Sequence, residues 1–263
     1  MDTGLTAKVV VITGAASGIG RAAALAFAHE GANLGLIDID AAGLAETAAQ
    51  AGGEVKAVTA RSDLSTAAGV TAGMTEVLAA YAGQADVLVN NVGVALPRSL
   101  DALSDDDWQA TFQLNFFSYV RAIRHAIPSM RARGAGTIVN LASDLGYQPA
   151  AHTLDYSISK TAVLSLTKAL ARAEGPAVRI NAVAPGPVWT PLWTRPGGFA
   201  DAIVDPKLPA RAAVEQAVAA QLPLGRLATP AEVANVIVFL ASDLASYVTG
   251  SVWGVDGGSV RSL

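Results

Sequence analysis

No cysteine occurs in the 263 residues. Disulfides, thiolate nucleophiles and Cys-based metal sites are excluded with it. Histidine is scarce: only His29, His125 and His152 occur, and no two stand at a metal-ligand spacing. A structural zinc site is not expected. Charged residues make up only 15% of the chain, and the formal balance is −4. Nothing in that balance attracts nucleic acid or an anionic membrane surface. Long apolar runs are missing too, since the longest, near Val233 to Ala241, is about half a membrane span. The run Val9 to Ile12 is too short for a signal-peptide core and leads straight into a Gly-rich turn. The expectation is a soluble cytoplasmic protein without membrane or nucleic-acid partners.

What is present is apolar and regular. Hydrophobic residues reach 52%, a packed globular composition. A chain of this length can fold as one α/β domain with a large core. Strand-like and helix-like segments alternate. Strands are expected at Lys8–Thr13, Asn33–Asp38, Val55–Ala60, Asp86–Asn90, Thr137–Ala142, Val178–Val183 and Val252–Val255. Helices are expected at Arg21–Glu30, Ala41–Ala51, Thr66–Tyr81, Asp105–Arg133, Leu154–Glu174 and Thr229–Ser242, with a kink or break at Pro128. Residues 185–223 are punctuated by Pro and Gly around an Ala-rich helix. Apolar strands alternating with helices predict a single-domain, doubly wound parallel sheet of about seven strands, covered on both faces.

The turn Thr13-Gly14-Ala15-Ala16-Ser17-Gly18-Ile19-Gly20 joins the first strand to the first helix. Glycines let a backbone approach a ligand closely, and a helix N-terminus offers free N–H groups and a positive dipole end to an anion. A pyrophosphate suits it. Out of context such a turn serves tight packing equally well, but the strand before and helix after favour the phosphate. Asp38 ends the second strand, where a carboxylate meets an adenosine ribose. It repels a 2′-phosphate, and neutral Ser17 offers that phosphate no cation. Both favour NAD over NADP. Asp63 and Leu64 follow the third strand, in reach of an adenine edge. Asn90, Asn91 and Gly93 follow the fourth.

Tyr156 and Lys160 are four apart on an expected helix, so the phenol and the ammonium share a face. A free phenol ionises near ~10 and needs help to act as a base at neutral pH. A nearby cation gives that help. Ser143, thirteen positions earlier, ends a strand at the same sheet edge as the Gly-rich turn. Its hydroxyl is expected to donate to a substrate oxygen while Tyr156 handles the proton.

With these residues the sequence resembles the short-chain dehydrogenase/reductase family. The matching elements are Thr13-Gly14-x-x-x-Gly18-x-Gly20, Asp63, Asn90-Asn91-x-Gly93, Asn115, Ser143, Tyr156-x-x-x-Lys160 and Pro185-Gly186. The resemblance implies that Tyr156 is the general acid/base and that Lys160 lowers its pKa and holds a nicotinamide ribose. It implies that Ser143 orients the substrate and that Asn115 holds a water linking Lys160 to solvent. The implied cofactor set is Gly14, Ser17, Gly18, Ile19, Gly20, Asp38, Asp63, Leu64, Asn90, Gly93, Tyr156, Lys160, Pro185, Gly186, Val188 and Thr190, with Thr190 bonding a carboxamide or a phosphate. Val92 departs from the family's usual Ala. The resemblance also implies a homotetramer or dimer, built on the helices near Phe112–Ile127 and Ala162–Leu170 with the last strand as a second contact.

The expected function is hydride transfer between NAD(H) and a secondary alcohol or ketone, apolar or cyclic. Substrate contacts are expected from Ser143, Leu145, Gln148, Tyr156, Trp189 and Trp193. The segment 186–222, with Leu192, Phe199 and Ile203, reads as a lid or, equally, as packing against the core or a second subunit. His152 and Arg195 edge the same region as lesser candidates for a proton donor and a carboxylate ligand. Two rival readings are a non-catalytic dinucleotide-binding regulator and a methyltransferase. The second leaves Tyr156 and Lys160 without work.

Overall fold

The computed structural model describes residues 1–195, 198–203 and 211–261. Its strands are β1 (Val9–Thr13), β2 (Asn33–Asp38), β3 (Ala57–Arg61), β4 (Val87–Asn90), β5 (Gly136–Leu141), β6 (Val178–Pro185) and β7 (Val252–Val255). They form one seven-stranded sheet in the order β3-β2-β1-β4-β5-β6-β7, parallel at every pairing. The helices are α1 (Gly18–His29), α2 (Ala41–Ala51), α3 (Ala67–Ala79), α4 (Asp105–Phe112), α5 (Ser118–Arg133), α6 (Leu154–Glu174), α7 (Pro191–Thr194), α8 (Phe199–Ile203), α9 (Arg211–Ala219) and α10 (Pro230–Ala241). The doubly wound sheet expected from the alternation is present.

Side chains alternate across each strand, and this sorts β1 between two cores. Val10 and Ile12 face a layer with Phe27 of α1 and Ile237 of α10. Val11 faces the other layer, with Met74 of α3 and Ile123 of α5. Fully burying a side chain such as Phe27, which is 0% exposed, contributes about 2–3 kcal/mol. Coverage on both faces explains why the strands read as continuous apolar runs. The sheet order reverses between β1 and β4, and a crevice opens there at the strands' carboxyl ends.

Local chemistry sets the helix starts. Ser104 and Asp107 form a reciprocal cap at α4, and Thr229 and Glu232 form another at α10, with Pro230 in its first turn. Of the kink or break expected at Pro128, the break is absent: Pro128 lies inside a continuous α5. Pro128 and Arg124 both lie on the exposed face, where water can take the carbonyl that the proline leaves unbonded. The irregularity falls earlier, as a π-helical turn over Gln113–Phe117. β6 runs two residues past its expected end at Val183, to Pro185. Within the candidate lid, residues 196–197 and 204–210 and the side chain of Ile203 lie outside the described residues. Among the described residues, no helix is long and apolar enough to cross a membrane, and no cluster of three or more metal-ligating side chains occurs.

Candidate active site

A cleft of about 1110 Å³ lies at the carboxyl ends of the strands. One wall is the turn after β1. Gly14 has φ +69°, a conformation that favours glycine. A Cβ on Gly20 would lie 2.0 Å from the Gly14 carbonyl oxygen, so the turn closes only around glycine. Asn91 holds it from the next strand, its amide Nδ2 donating to the Thr13 and Gly14 carbonyls at 3.0 Å each. The Asn91 backbone N–H donates to Thr13 Oγ1 at 3.0 Å. Ser17 precedes α1 and makes no side-chain cap bond, so its hydroxyl leaves the helix's first N–H groups to an incoming anion. Asp38 lines the cleft at the end of β2, one oxygen accepting from the Ala16 N–H at 3.0 Å and the other from the Asp40 N–H at 3.1 Å. The turn, the helix end and the carboxylate fit a dinucleotide.

The opposite wall carries Ser143, Tyr156 and Lys160, all lining the same cleft. Lys160 is buried on α6. Its Nζ donates to the Leu141 carbonyl at 2.7 Å and to the Tyr119 hydroxyl at 3.3 Å. Burial pushes its pKa down to about 7. Nζ lies 5.9 Å from the centre of the Tyr156 ring. The Tyr156 phenol is pushed up to about 12, chiefly by burial, with the Asp144 charge acting the same way and the Ser143 hydroxyl opposing both. Desolvation outweighs the help expected from Lys160.

Ser143 lies two residues beyond the end of β5 and is buried. Its Oγ donates to Asp144 Oδ1 at 2.9 Å and accepts from the Leu145 N–H at 3.2 Å. Asp144 therefore competes for the proton expected to point at a substrate oxygen, a carboxylate being a stronger acceptor than a neutral oxygen. Asp144 is itself buried. It also accepts from the Ser259 hydroxyl at 2.6 Å, which fastens the segment after β7 across the cleft. Gln148 adds a second tie, donating to the Ser259 carbonyl at 2.7 Å.

Asn115 sits in the π-helical turn and is fully buried. Its Oδ1 accepts from the Val94 N–H at 2.8 Å, and its Nδ2 donates to the Val94 carbonyl at 2.9 Å and to Ser159 Oγ at 3.1 Å. The side chain therefore clamps the loop after β4 and makes no bond to Lys160. Gly93 leaves the space between them: a Cβ there would lie 3.3 Å from Asn115 Oδ1 and 3.6 Å from Lys160 Nζ.

Further along, Leu145, Gln148, His152, Trp193, Arg195 and Phe199 line the cleft, as do Pro185, Gly186, Val188 and Thr190. Trp193 stacks on Phe199 with ring centres 5.2 Å apart. Trp189 does not line the cleft; its ring centre lies 6.3 Å from that of Trp193. Asp63 is exposed and bonds the Ser65 N–H. Leu64 packs in the core with Val70 and Met74. Asn90 is fully buried and donates to Asn140 Oδ1 at 2.9 Å, an internal bridge between neighbouring strands. None of these three lines the cleft: Asp63 bonds within its own turn, Leu64 faces the core and Asn90 faces the neighbouring strand. Ile19 and Gly18 line it, whereas Gly20 shapes the turn from behind. Sequence reasoning missed Asp144, although it adjoins Ser143. It also missed Ser259 and Arg261, which no local pattern marks.

The fold and this cleft define a nicotinamide-dependent oxidoreductase of the short-chain type. A family model described as enoyl-(acyl carrier protein) reductase matches residues 14–260, and the chain belongs to the short-chain dehydrogenase/reductase family. The cis-4-hydroxycyclohexanecarboxylate dehydrogenase of Sinomonas cyclohexanicum is 38% identical, covering 98% of each chain. The L-sorbose reductase of Gluconobacter frateurii, solved with NADPH and L-sorbose, superposes with a TM-score of 0.94 at 36% identity over 100% of each chain. A 3-ketoacyl-(acyl-carrier-protein) reductase from Brucella melitensis, solved with NADH, gives 0.85 at 31% identity over 97% of this chain and 99% of that one.

Proposed function

We propose that the protein interconverts a secondary alcohol and a ketone, using NAD(H), with Tyr156, Ser143 and Lys160 as the reacting set. One observation carries the reading: the phosphate-type turn at Gly14–Gly20 and the Ser143–Tyr156–Lys160 group open into one cleft. A pure dinucleotide binder has no need of the second wall.

Gly14, Ser17, Gly18, Ile19, Asp38, Gly93, Pro185, Gly186, Val188 and Thr190 would hold the dinucleotide. When bound, the nicotinamide supplies the hydride acceptor or donor. Asp38 favours NAD(H), because a 2′-phosphate beside it would face a like charge. Tyr156 moves one proton at the carbinol oxygen. Ser143, anchored on Asp144, orients that oxygen. Lys160 supports the phenol and is placed to meet a ribose. Asn115 acts on this group by holding the Val94 backbone and Ser159. Trp193, Phe199 and Leu145 give the substrate side an apolar wall that suits a cyclic or apolar substrate. The substrates for which these relatives are named, cis-4-hydroxycyclohexanecarboxylate and L-sorbose, support a cyclic or hydroxylated substrate.

We further propose a homo-oligomer. Phe117 and Ile158 are exposed, and Trp253 is exposed on edge strand β7. Burying them is a sufficient reason to associate.

The test is a panel of cyclic and open-chain secondary alcohols and ketones, followed by nicotinamide absorbance with NAD(H) and NADP(H) side by side. Turnover with NAD(H) on at least one substrate class is expected. Tight dinucleotide binding with no turnover across the panel would replace the reading with that of a regulatory binder.

A further inference from the structure

Asp144 is a buried carboxylate at the point where the proton must move, and the reading above gives it no task beyond anchoring Ser143. Three donors converge on it: Ser143 Oγ at 2.9 Å, the Leu145 N–H at 2.8 Å and Ser259 Oγ at 2.6 Å. That is the pattern of an ionised, acceptor-only carboxyl. A serine hydroxyl has one proton, and Asp144 holds the one on Ser143. Asp144 thereby competes with a phenolate for the Ser143 proton, weakening the bond by which Ser143 would hold the phenol's pKa down. The remaining lone pair of Ser143 can accept from a neutral phenol instead.

Charge acts in the same direction. Tyr156 loses a proton to become an anion, and Asp144 already places an anion beside it. Like charges close together resist a second ionisation. The other charged or titratable groups are Lys160 on the phenol's own helix, Tyr119 of α5, and Asp256 in the segment after β7, whose charge acts on Asp144. His152, Arg195 and Arg261 line the same cleft. Among these, Lys160 is the cation in the phenol's own wall, and its ammonium is spent on the Leu141 carbonyl and the Tyr119 hydroxyl.

Resting on the assignment of Tyr156 as the acid/base, we propose that Asp144 is a positioning residue that sets the pH at which Tyr156 turns from acid to base. By binding the Ser143 proton and facing the phenol with a carboxylate, it keeps Tyr156 a proton donor across neutral pH. Carbonyl reduction needs the phenol and runs below that transition. Alcohol oxidation needs the phenolate and is confined to alkaline pH. The nicotinamide would supply the two-electron acceptor or donor, and one proton balances through Tyr156: taken from the alcohol oxygen in one direction, given back in the other.

The experiment compares wild type, Asp144→Asn and Asp144→Glu in the full chain. Difluorotyrosine is placed at position 156, whose lower ionisation range keeps the titration within the stability of the fold, and fluorine NMR reads it directly. The Asn variant is expected to titrate about one pH unit lower, and the Glu variant to return toward wild type. The pH profile for alcohol oxidation moves down in parallel, and the alkaline fall-off in carbonyl reduction comes earlier. If the Asn variant does not fold, Asp144→Ser removes the charge with a smaller side chain. A fluorine titration that is unchanged or higher after neutralising Asp144 overturns the proposal. Full activity of a Tyr156→Phe variant would instead remove the assignment beneath it, while the NMR titration would still report what Asp144 does to the phenol.

Discussion

Lys160 Nζ donates to the Leu141 carbonyl at 2.7 Å, tying the middle of α6 to the last residue of β5. This bond holds a buried ammonium 5.9 Å from the centre of the Tyr156 ring. The amine is therefore a structural tie and a charge source at once, and its protonation has consequences for stability as well as chemistry.

The stability consequence has a definite sign. Lys160 is pushed down to about 7 in the fold, chiefly by burial, from 10.5. Between those values the unfolded chain binds more protons at this site than the folded chain, so stability gains with rising pH. In dinucleotide-free protein, the stability of wild type relative to Lys160→Met should increase from pH 7 toward pH 10. Denaturant melts across that range measure it. A pH-independent difference would contradict the assignment.

Asp38 should control dinucleotide choice. Its carboxylate bonds the Ala16 N–H and lines the cleft. Asp38→Ser removes the like charge that a 2′-phosphate would meet. The ratio of kcat/KM for NADP to that for NAD should rise by roughly tenfold or more, about 1.4 kcal/mol of discrimination. An unchanged ratio would show that Asp38 does not face the ribose.

Gly20 is expected to tolerate no side chain. A Cβ would lie 2.0 Å from the Gly14 oxygen and 2.6 Å from Asn91 Nδ2, so Gly20→Ala must open the turn. Dinucleotide affinity should fall by at least about tenfold, or about 1.4 kcal/mol, while the melting temperature falls less than for a core truncation. Titration calorimetry and a melt separate the two effects.

Asp155, beside Tyr156, is a stability element. It is 1% exposed and accepts from Arg98 at 2.8 Å and from Thr111 Oγ1 at 2.6 Å. Asp155→Ala leaves Arg98 without its most buried partner and should cost about 2–4 kcal/mol, read as a lower denaturant midpoint. A neutral result would mean that Arg98 recovers fully through Asp107, to which it is also paired.

The architecture was legible because its signals are local and repeated. Alternating apolar strands and Ala-rich helices specify a doubly wound sheet, and glycine spacing marks the turn at its edge. Tyr156 and Lys160 were legible because helical periodicity puts them on one face. Other residues were hidden for physical reasons. Asn115 reads as one polar residue in a helix, and only the π-helical turn shows that it clamps Val94. Ser259 meets Asp144 across 115 positions, a contact that no periodicity encodes. Asn90 looked like a ligand residue, yet its strand position pairs it with Asn140 inside the sheet. Pro128 suggested a break that an exposed helix face absorbs.

The most direct measurement is single-turnover hydride transfer by Tyr156→Phe, with dinucleotide affinity measured on the same sample. The account predicts unchanged binding and a rate reduced by about 10²–10⁴-fold. Hydride transfer at the wild-type rate, with binding intact, would contradict it.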